Sequence, residues 1–286
     1  TVPSDELRDA QRAIQEALPL VGATELTCDD AVAKVSVVGL GMAEQSGVAE
    51  RMFGALSAAG INIQMITTSE IKISCLVQRS EGTQALRAVH QAFELHRKPS
   101  DANTWLIGQM NHAKMSPSEV VERLRSTNLE QLTLLDISLL DDQARVTLSG
   151  VADTPGLAEK VFKSVADAGA VVDMIVQSCD GHQGETAISF TVPNDQMQAC
   201  LDVLANGKFG VRKVTSARNI SKLSVSGIGL RSHTSVAIAL FKALADEGIN
   251  VLMTNTSELR VNVVVEGKDS KRALDALKKT FANALI

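Results

Sequence analysis

The stretch from Val35 to Leu76, VSVVGLGMAEQSGVAERMFGALSAAGINIQMITTSEIKISCL, aligns without gaps with Leu223 to Val264, LSVSGIGLRSHTSVAIALFKALADEGINVLMTNTSELRVNVV. The offset is a constant 188 residues, and 16 of the 42 positions are identical. A third copy, ARVTLSGVADTPGLAEKVFKSVADAGAVVDMIVQS from Ala144, aligns with the first at an offset of 109. Repetition on this scale marks a chain built from small units of one kind.

The spacing inside each copy sets its local structure. Val48, Met52, Phe53 and Leu56 recur as Leu157, Val161, Phe162 and Val165, and again as Val236, Leu240, Phe241 and Leu244. That spacing puts four apolar side chains on one face of a helix. Gly60, Gly169 and Gly248 end the three helices, and INIQMI, AVVDMIV and INVLM then read as strands. A further strand and helix follow: Ile71 to Val77, Thr186 to Val192 and Arg260 to Val265, each ahead of a stripe such as Leu86, Val89 and Phe93. With Val211 to Ala217 as a closing element, the order is βαββαβ. The expected fold class is α+β, with ferredoxin-like units that each carry two helices on one face of their own four-stranded antiparallel sheet.

The last copy stops at its second helix, so the apolar segment Leu132 to Leu139 is expected to close its sheet, with the middle copy inserted between the two pieces. TVPSDELRDAQRAIQEAL at the front resembles TVPNDQMQACLDVLANG of the middle copy and reads as the tail of a further unit. Ser116, Pro117 and Glu119 before Val120, Val121 and Leu124 read as a capped linker helix.

Composition narrows the function. The chain has 286 residues, 45% hydrophobic and 21% charged, with net charge -5. Lys and Arg are scattered, which leaves no cationic track for nucleic acid. The apolar runs are shorter than the roughly 18 residues of a membrane span. Four separated cysteines, Cys28, Cys75, Cys179 and Cys200, form no zinc pattern and suit a reducing cytoplasm. His182 and His233 are isolated, and Met42, Met65, Met174 and Met253 sit in apolar strand contexts that suit core filling.

The chain closely resembles the C-terminal regulatory region of aspartate kinases, which is built from paired ACT domains. VSVVGLGM, GINIQMITTSEIKIS, ADTPG, VDMIVQS and GINVLMTNTSELRVN carry the resemblance, and the duplication is similar to the cyanobacterial type with two ACT pairs in tandem. It implies a truncated ACT domain over 1–30, an ACT domain over 31–96, a linker over 97–126, an ACT domain over 142–220, and a discontinuous one from 127–141 plus 221–286. It implies a parent enzyme that phosphorylates aspartate with ATP and Mg, on the way to lysine, threonine and methionine. The glycine-rich phosphate loop and catalytic residues of that kinase do not occur in this sequence. The chain is therefore expected to be inactive alone, without cofactor or metal, to partner the kinase domain, and to form a homodimer through its ACT domains.

Candidate effector residues follow from both lines. Asp153, Thr154, Pro155 and Gly156 read as a helix start with Thr154 as cap and Pro155 first in the helix. Backbone N–H groups of such a start bind an α-carboxylate, and Asp153 can receive an ammonium group. Asp173 and Gln177, four apart on a strand, share a face. The resemblance adds Leu157, Ala158, Ile175 and Ser178, with Gln177 in contact with the inhibitory amino acid. It takes partner residues from a second unit: Asn255, Thr256, Ser257 and Glu258 in the last copy, and Met65, Thr67, Thr68, Ser69 and Glu70 in the first. Each polar run also has a plainer reading as a helix cap, a solvated strand face or a turn. The functional expectation is an ACT pair that binds free lysine and/or threonine for feedback inhibition. The alternative is an oligomerisation module whose effector sites are vestigial.

Overall fold

In the computed structural model, the described residues are 2–39, 42, 47–69, 71–97, 133–179, 185–207, 209–230, 234–257, 259–282 and 284, without the side chains of Thr133, Ser178 and Cys179. The expected linker helix around Ser116 and residues 43–46 and 231–233 lie outside them.

An amphipathic helix α1 (Leu7–Val21) precedes the first copy, which runs β1 (Val32–Val38), α2 (Val48–Ala58), β2 (Met65–Ser69), β3 (Lys72–Gln78), α3 (Gly82–Ala92). The second copy runs from β4 (Thr133–Ala152) through α4 (Leu157–Asp167), β5 (Ile175–Cys179) and β6 (Glu185–Pro193) to α5 (Met197–Asn206). The third uses β7 (Lys213–Ile228), α6 (Thr234–Asp246), β8 (Met253–Thr256), β9 (Arg260–Glu266) and α7 (Ser270–Thr280).

The strands correct the expected fold class. Separate four-stranded sheets, one per unit, are not found among the described residues, which build one continuous nine-stranded antiparallel sheet, β1-β3-β2-β5-β6-β4-β7-β9-β8. Two features merge the units. First, β4 and β7 are too long to belong to one copy. The first half of β4 pairs with the second half of β7, from Thr133 opposite Ile228 to Leu140 opposite Lys222, and the pairing resumes beyond an irregularity from Arg145 opposite Ala217. Second, β2 and β5 join edge to edge with Thr67 opposite Val176. An open strand edge is a row of unpaired donors and acceptors, and joining two such edges satisfies both.

Alternation in the strands directs one face to the helices. Val35, Val37, Ile73, Cys75, Val146, Leu148, Ile188 and Phe190 pack with α2 to α5 in one core across the first two copies, and Leu223, Val225, Val261 and Val263 pack with α6 and α7 in a second. The helix-free face curls inward. There Met174 and Ile220 meet Met253 and Val264, Arg145 donates to the carbonyl of Leu252 at 3.3 Å, and Lys222 forms an ion pair with Asp173. Asn255, on the last strand, donates to the carbonyl of Thr68 on the third.

Candidate functional site

The first and second copies meet along the β2–β5 seam, with α2 against α4. Phe53 and Phe162, the same position of the repeat, lie with ring centroids 5.5 Å apart, and Lys163 reaches Glu50 at 3.0 Å across the seam. The hydrogen bond to Glu50 raises the Lys163 pKa above its ordinary value.

Two clefts open beside this contact. The first, about 340 Å3, is lined from the second copy by Asp153, Thr154, Gly156 to Glu159, Gln177 and Thr186, and from the first copy by Ser57, Ile61, Asn62 and Ile63. The second, about 580 Å3, is lined by Gly47, Glu50, Thr68 and Ser69 from the first copy and by Ala166, Ala170 to Asp173 and Ile175 from the second. Under the 109-residue offset, Gly156, Glu159 and Gln177 correspond to Gly47, Glu50 and Thr68, while Ser57 and Ile61 correspond to Ala166 and Ala170. The clefts are thus two versions of one site, each made by the helix start of one copy and the pre-strand segment of the other.

The helix start differs from its sequence reading. The helix begins at Leu157 with Gly156 at its cap position, at φ 86, and no side chain caps it. Thr154 and Pro155 precede it, in an exposed loop. A positive φ suits glycine, and a Cβ there would also stand 2.8 Å from Ser57 Oγ. Glycine thus lets the loop lie against the neighbouring copy. Ala158 and Glu159, in the first turn, line the cleft, and amides at such a start have no acceptor within the helix.

Gln177 is the buried polar group of the first cleft, at 6% exposure. Its Nε2 lies 3.4 Å from the Ile63 carbonyl and 3.5 Å from Thr186 Oγ1, both long, and its Oε1 has no partner among the described residues. Asn62 donates to Asp153 at 2.9 Å, which fixes the carboxylate at the mouth. In the second cleft, Thr68 Oγ1 accepts from the Ile175 amide at 2.9 Å, and Asp173 is held by Lys222. Buried polar atoms are normally satisfied, so the unpartnered oxygen of Gln177 stands out among the described residues.

The structure brings Asp153, Thr154, Gly156, Leu157, Ala158 and Gln177 to one cleft, and Thr68, Ser69, Asp173 and Ile175 to the other. Pro155 borders the first in sequence, and Met65 and Thr67 are on β2. The run Asn255 to Ser257 lines neither cleft; Asn255 and Thr256 end β8, and Ser257 turns onto the amide of Arg260 at 3.0 Å. Glu70, Glu258 and the Ser178 side chain lie outside the described residues. Sequence reasoning passed over Ser57, Asn62 and Ile63. Their signal was the 109-residue offset itself, which equates them with the segment before β5. Among the described residues no cluster of three His, Cys, Asp or Glu could hold a metal, and no helix is long and apolar enough to cross a membrane.

Comparison with known proteins places this architecture. An ACT domain sequence profile matches residues 35–93, 146–207 and 223–281. An aspartate kinase of Pseudomonas fluorescens is 38% identical over 170 residues, which are 59% of this chain and 41% of that protein. An aspartokinase of Pseudomonas aeruginosa is 39% identical over 156 residues, 54% of this chain and 38% of that one. The crystal structure of the aspartate kinase from Synechocystis superposes on 99% of this chain and 46% of its own length, with TM-score 0.79 and 29% identity. The chain spans about two fifths of the length of the curated relatives it matches. It matches the C-terminal, ACT-containing region of aspartokinases. With three matched segments that together cover more than half of its residues, the chain belongs to the ACT domain family.

Proposed function

We propose that this chain is the regulatory region of an aspartate kinase and that its seam clefts bind a free amino acid, lysine and/or threonine, to lower the activity of the kinase domain. The observation that carries the reading is the unpartnered Oε1 of Gln177, a residue that lines the same cleft as the first-turn residues of a helix start. An α-carboxylate suits the helix start, an α-ammonium suits Asp153, and the amide of Gln177 orients the remainder. In the second cleft Thr68, Ser69 and Asp173 take the corresponding parts. Regulation follows if the ligand binds one arrangement of the two copies more tightly than the other. ATP and Mg belong, in this reading, to the kinase domain alone. The domain boundaries given by the resemblance are proposed with it, as repeat limits within a shared sheet.

Calorimetry with lysine and with threonine tests the reading. The expected result is saturable heat from at least one of them, lost in Gln177→Leu. Absence of saturable heat from both overturns it.

A second reading, assembly, is favoured by the Phe53–Phe162 contact, since aromatic pairs of this kind hold copies together without any ligand. A chain whose association and melting are indifferent to both amino acids supports that reading.

A further inference from the structure

The seam between the first two copies is two-fold in shape but not in charge. Thr67 stands opposite Val176 and Phe53 against Phe162, each pair one repeat position shifted by 109. Each cleft also takes a glutamate from the first turn of its helix, Glu159 in the first and Glu50 in the second. These two carboxylates share a repeat position and meet different neighbours.

Glu50 is neutralised across the seam, where Lys163 of α4 donates to it at 3.0 Å. The reciprocal contact, from α2 back to Glu159, would need a lysine at position 54, and the residue there is Gly54. The same repeat position holds Lys163 in the second copy and Lys242 in the third, so the glycine is the departure. The Glu159 carboxylate lies beside the space so left: its Oε1 would stand 3.6 Å from a Cβ on Gly54. Lys163, one turn further along α4, acts on Glu159 more weakly than on Glu50. Among the described residues no Lys or Arg forms an ion pair with Glu159 or with Asp153, whose partner is the neutral Asn62. In the second cleft the other lining acid, Asp173, is paired with Lys222. Glu44, the counterpart of Asp153, lies outside the described residues. A second difference runs the same way. Gln177 keeps an unpartnered Oε1 in the first cleft, whereas its counterpart Thr68 already accepts the Ile175 amide at 2.9 Å.

We propose that Gly54 and Lys163 set which side chain each cleft admits: the first takes an amino acid whose side chain ends in a cation, received by Glu159, and the second takes one whose side chain is uncharged. In the first cleft a ligand ammonium exchanges water for a carboxylate that has no protein cation of its own. In the second it would have to displace Lys163 or Lys222 from its acid. The same group is thus attracted at one site and repelled at the other, which is how two sites of one shape come to differ in specificity. This inference rests on the reading that the clefts bind a free amino acid, and adds the class of side chain and the residues that select it.

Calorimetry on the 286-residue chain with lysine, with norleucine as its analogue without a side-chain amine, and with threonine tests it. Lysine should bind about tenfold or more tightly than norleucine. Gly54→Lys and Glu159→Gln should each erase that difference and leave the threonine isotherm within about twofold of its wild-type position. Gly54→Ala, which fills the same space without charge, should preserve it. Lys163→Met frees Glu50 and should add a second lysine-binding event per chain; its absence overturns the part given to Lys163. Circular dichroism melting checks folding, and the isosteric Glu159→Gln decides the point if Gly54→Lys does not fold. Lysine binding no tighter than that of norleucine, or unchanged in Glu159→Gln, overturns this inference and leaves the amino-acid reading standing. Absence of saturable heat from both lysine and threonine overturns the two together.

Discussion

The side-chain amide of Asn255, on the outermost strand, donates to the backbone carbonyl of Thr68, beside the β2–β5 seam. It ties the third copy to the second cleft, where Thr68 also accepts the Ile175 amide through its hydroxyl. Asn255 is 7% and Thr68 6% exposed. Asn255→Leu keeps the shape and removes the donor, so it should cost about 1–3 kcal/mol in urea unfolding. Hydrogen exchange should rise in β8 and at the seam together; a rise in β8 alone would separate the two.

Gly156 provides a second test. Alanine there must adopt φ near 86 and bring a Cβ to 2.8 Å from Ser57 Oγ. Gly156→Ala should lower stability by about 1 kcal/mol or more. Adding Ser57→Gly removes the collision and leaves the backbone strain, so the double variant should recover part of the loss. Full recovery would assign the whole cost to the collision.

Thiol chemistry reports the core. Burial pushes the Cys75 thiol far above its ordinary value of 9.0 and raises Cys200 to about 11, while Cys28 is exposed. In the folded chain at pH 8, alkylation followed by peptide mapping should modify Cys28 quickly and spare Cys75 and Cys200. Above pH 9.0 the unfolded thiols ionise while the folded ones keep their protons. Stability from these groups is therefore complete below pH 9.0 and falls as pH rises beyond it. Cys75→Ala should flatten part of that fall.

A polar cluster holds the bend where the two long strands change partner. Asn194 donates to Asp142 at 2.6 Å and to Asn219 Oδ1 at 3.1 Å, and accepts the Asn219 amide at 3.2 Å. Asp142 and Asn219 both have positive φ, 62 and 54. Asn194→Ala should cost about 1–2 kcal/mol, and Asn219→Gly in that background should restore some of it by easing the backbone. Thermal melts of the four-member cycle decide the point.

The repeat made most elements legible. Phe53, Phe162 and Phe241 share one spacing, and the helix faces and glycine ends follow from it. What stayed hidden was how the pieces join. The segment after Leu132 and the one after Val211 each read as a short strand, and only pairing over 64 or more residues reveals them as halves of β4 and β7. The choice of seam was equally invisible, because Thr67, Val176 and Asn255 occupy like strand contexts and nothing local says which two will meet. At the candidate site, Asp153 and Gln177 stood out by charge and spacing. Ser57 and Asn62 did not, because their role comes from the neighbouring copy. The start of α4 at Leu157, with Gly156 and not Thr154 at its cap position, was likewise hidden, because Gly156 lies close to Ser57 of the neighbouring copy.

Because β4 and β7 pass from the second copy into the third without a break in the sheet, those copies share a backbone spine and not a tether. Rotation of one against the other must be absorbed as twist in two strands, concentrated where Asp142 and Asn219 already bend. That makes the bend a torsional joint between the second and third copies.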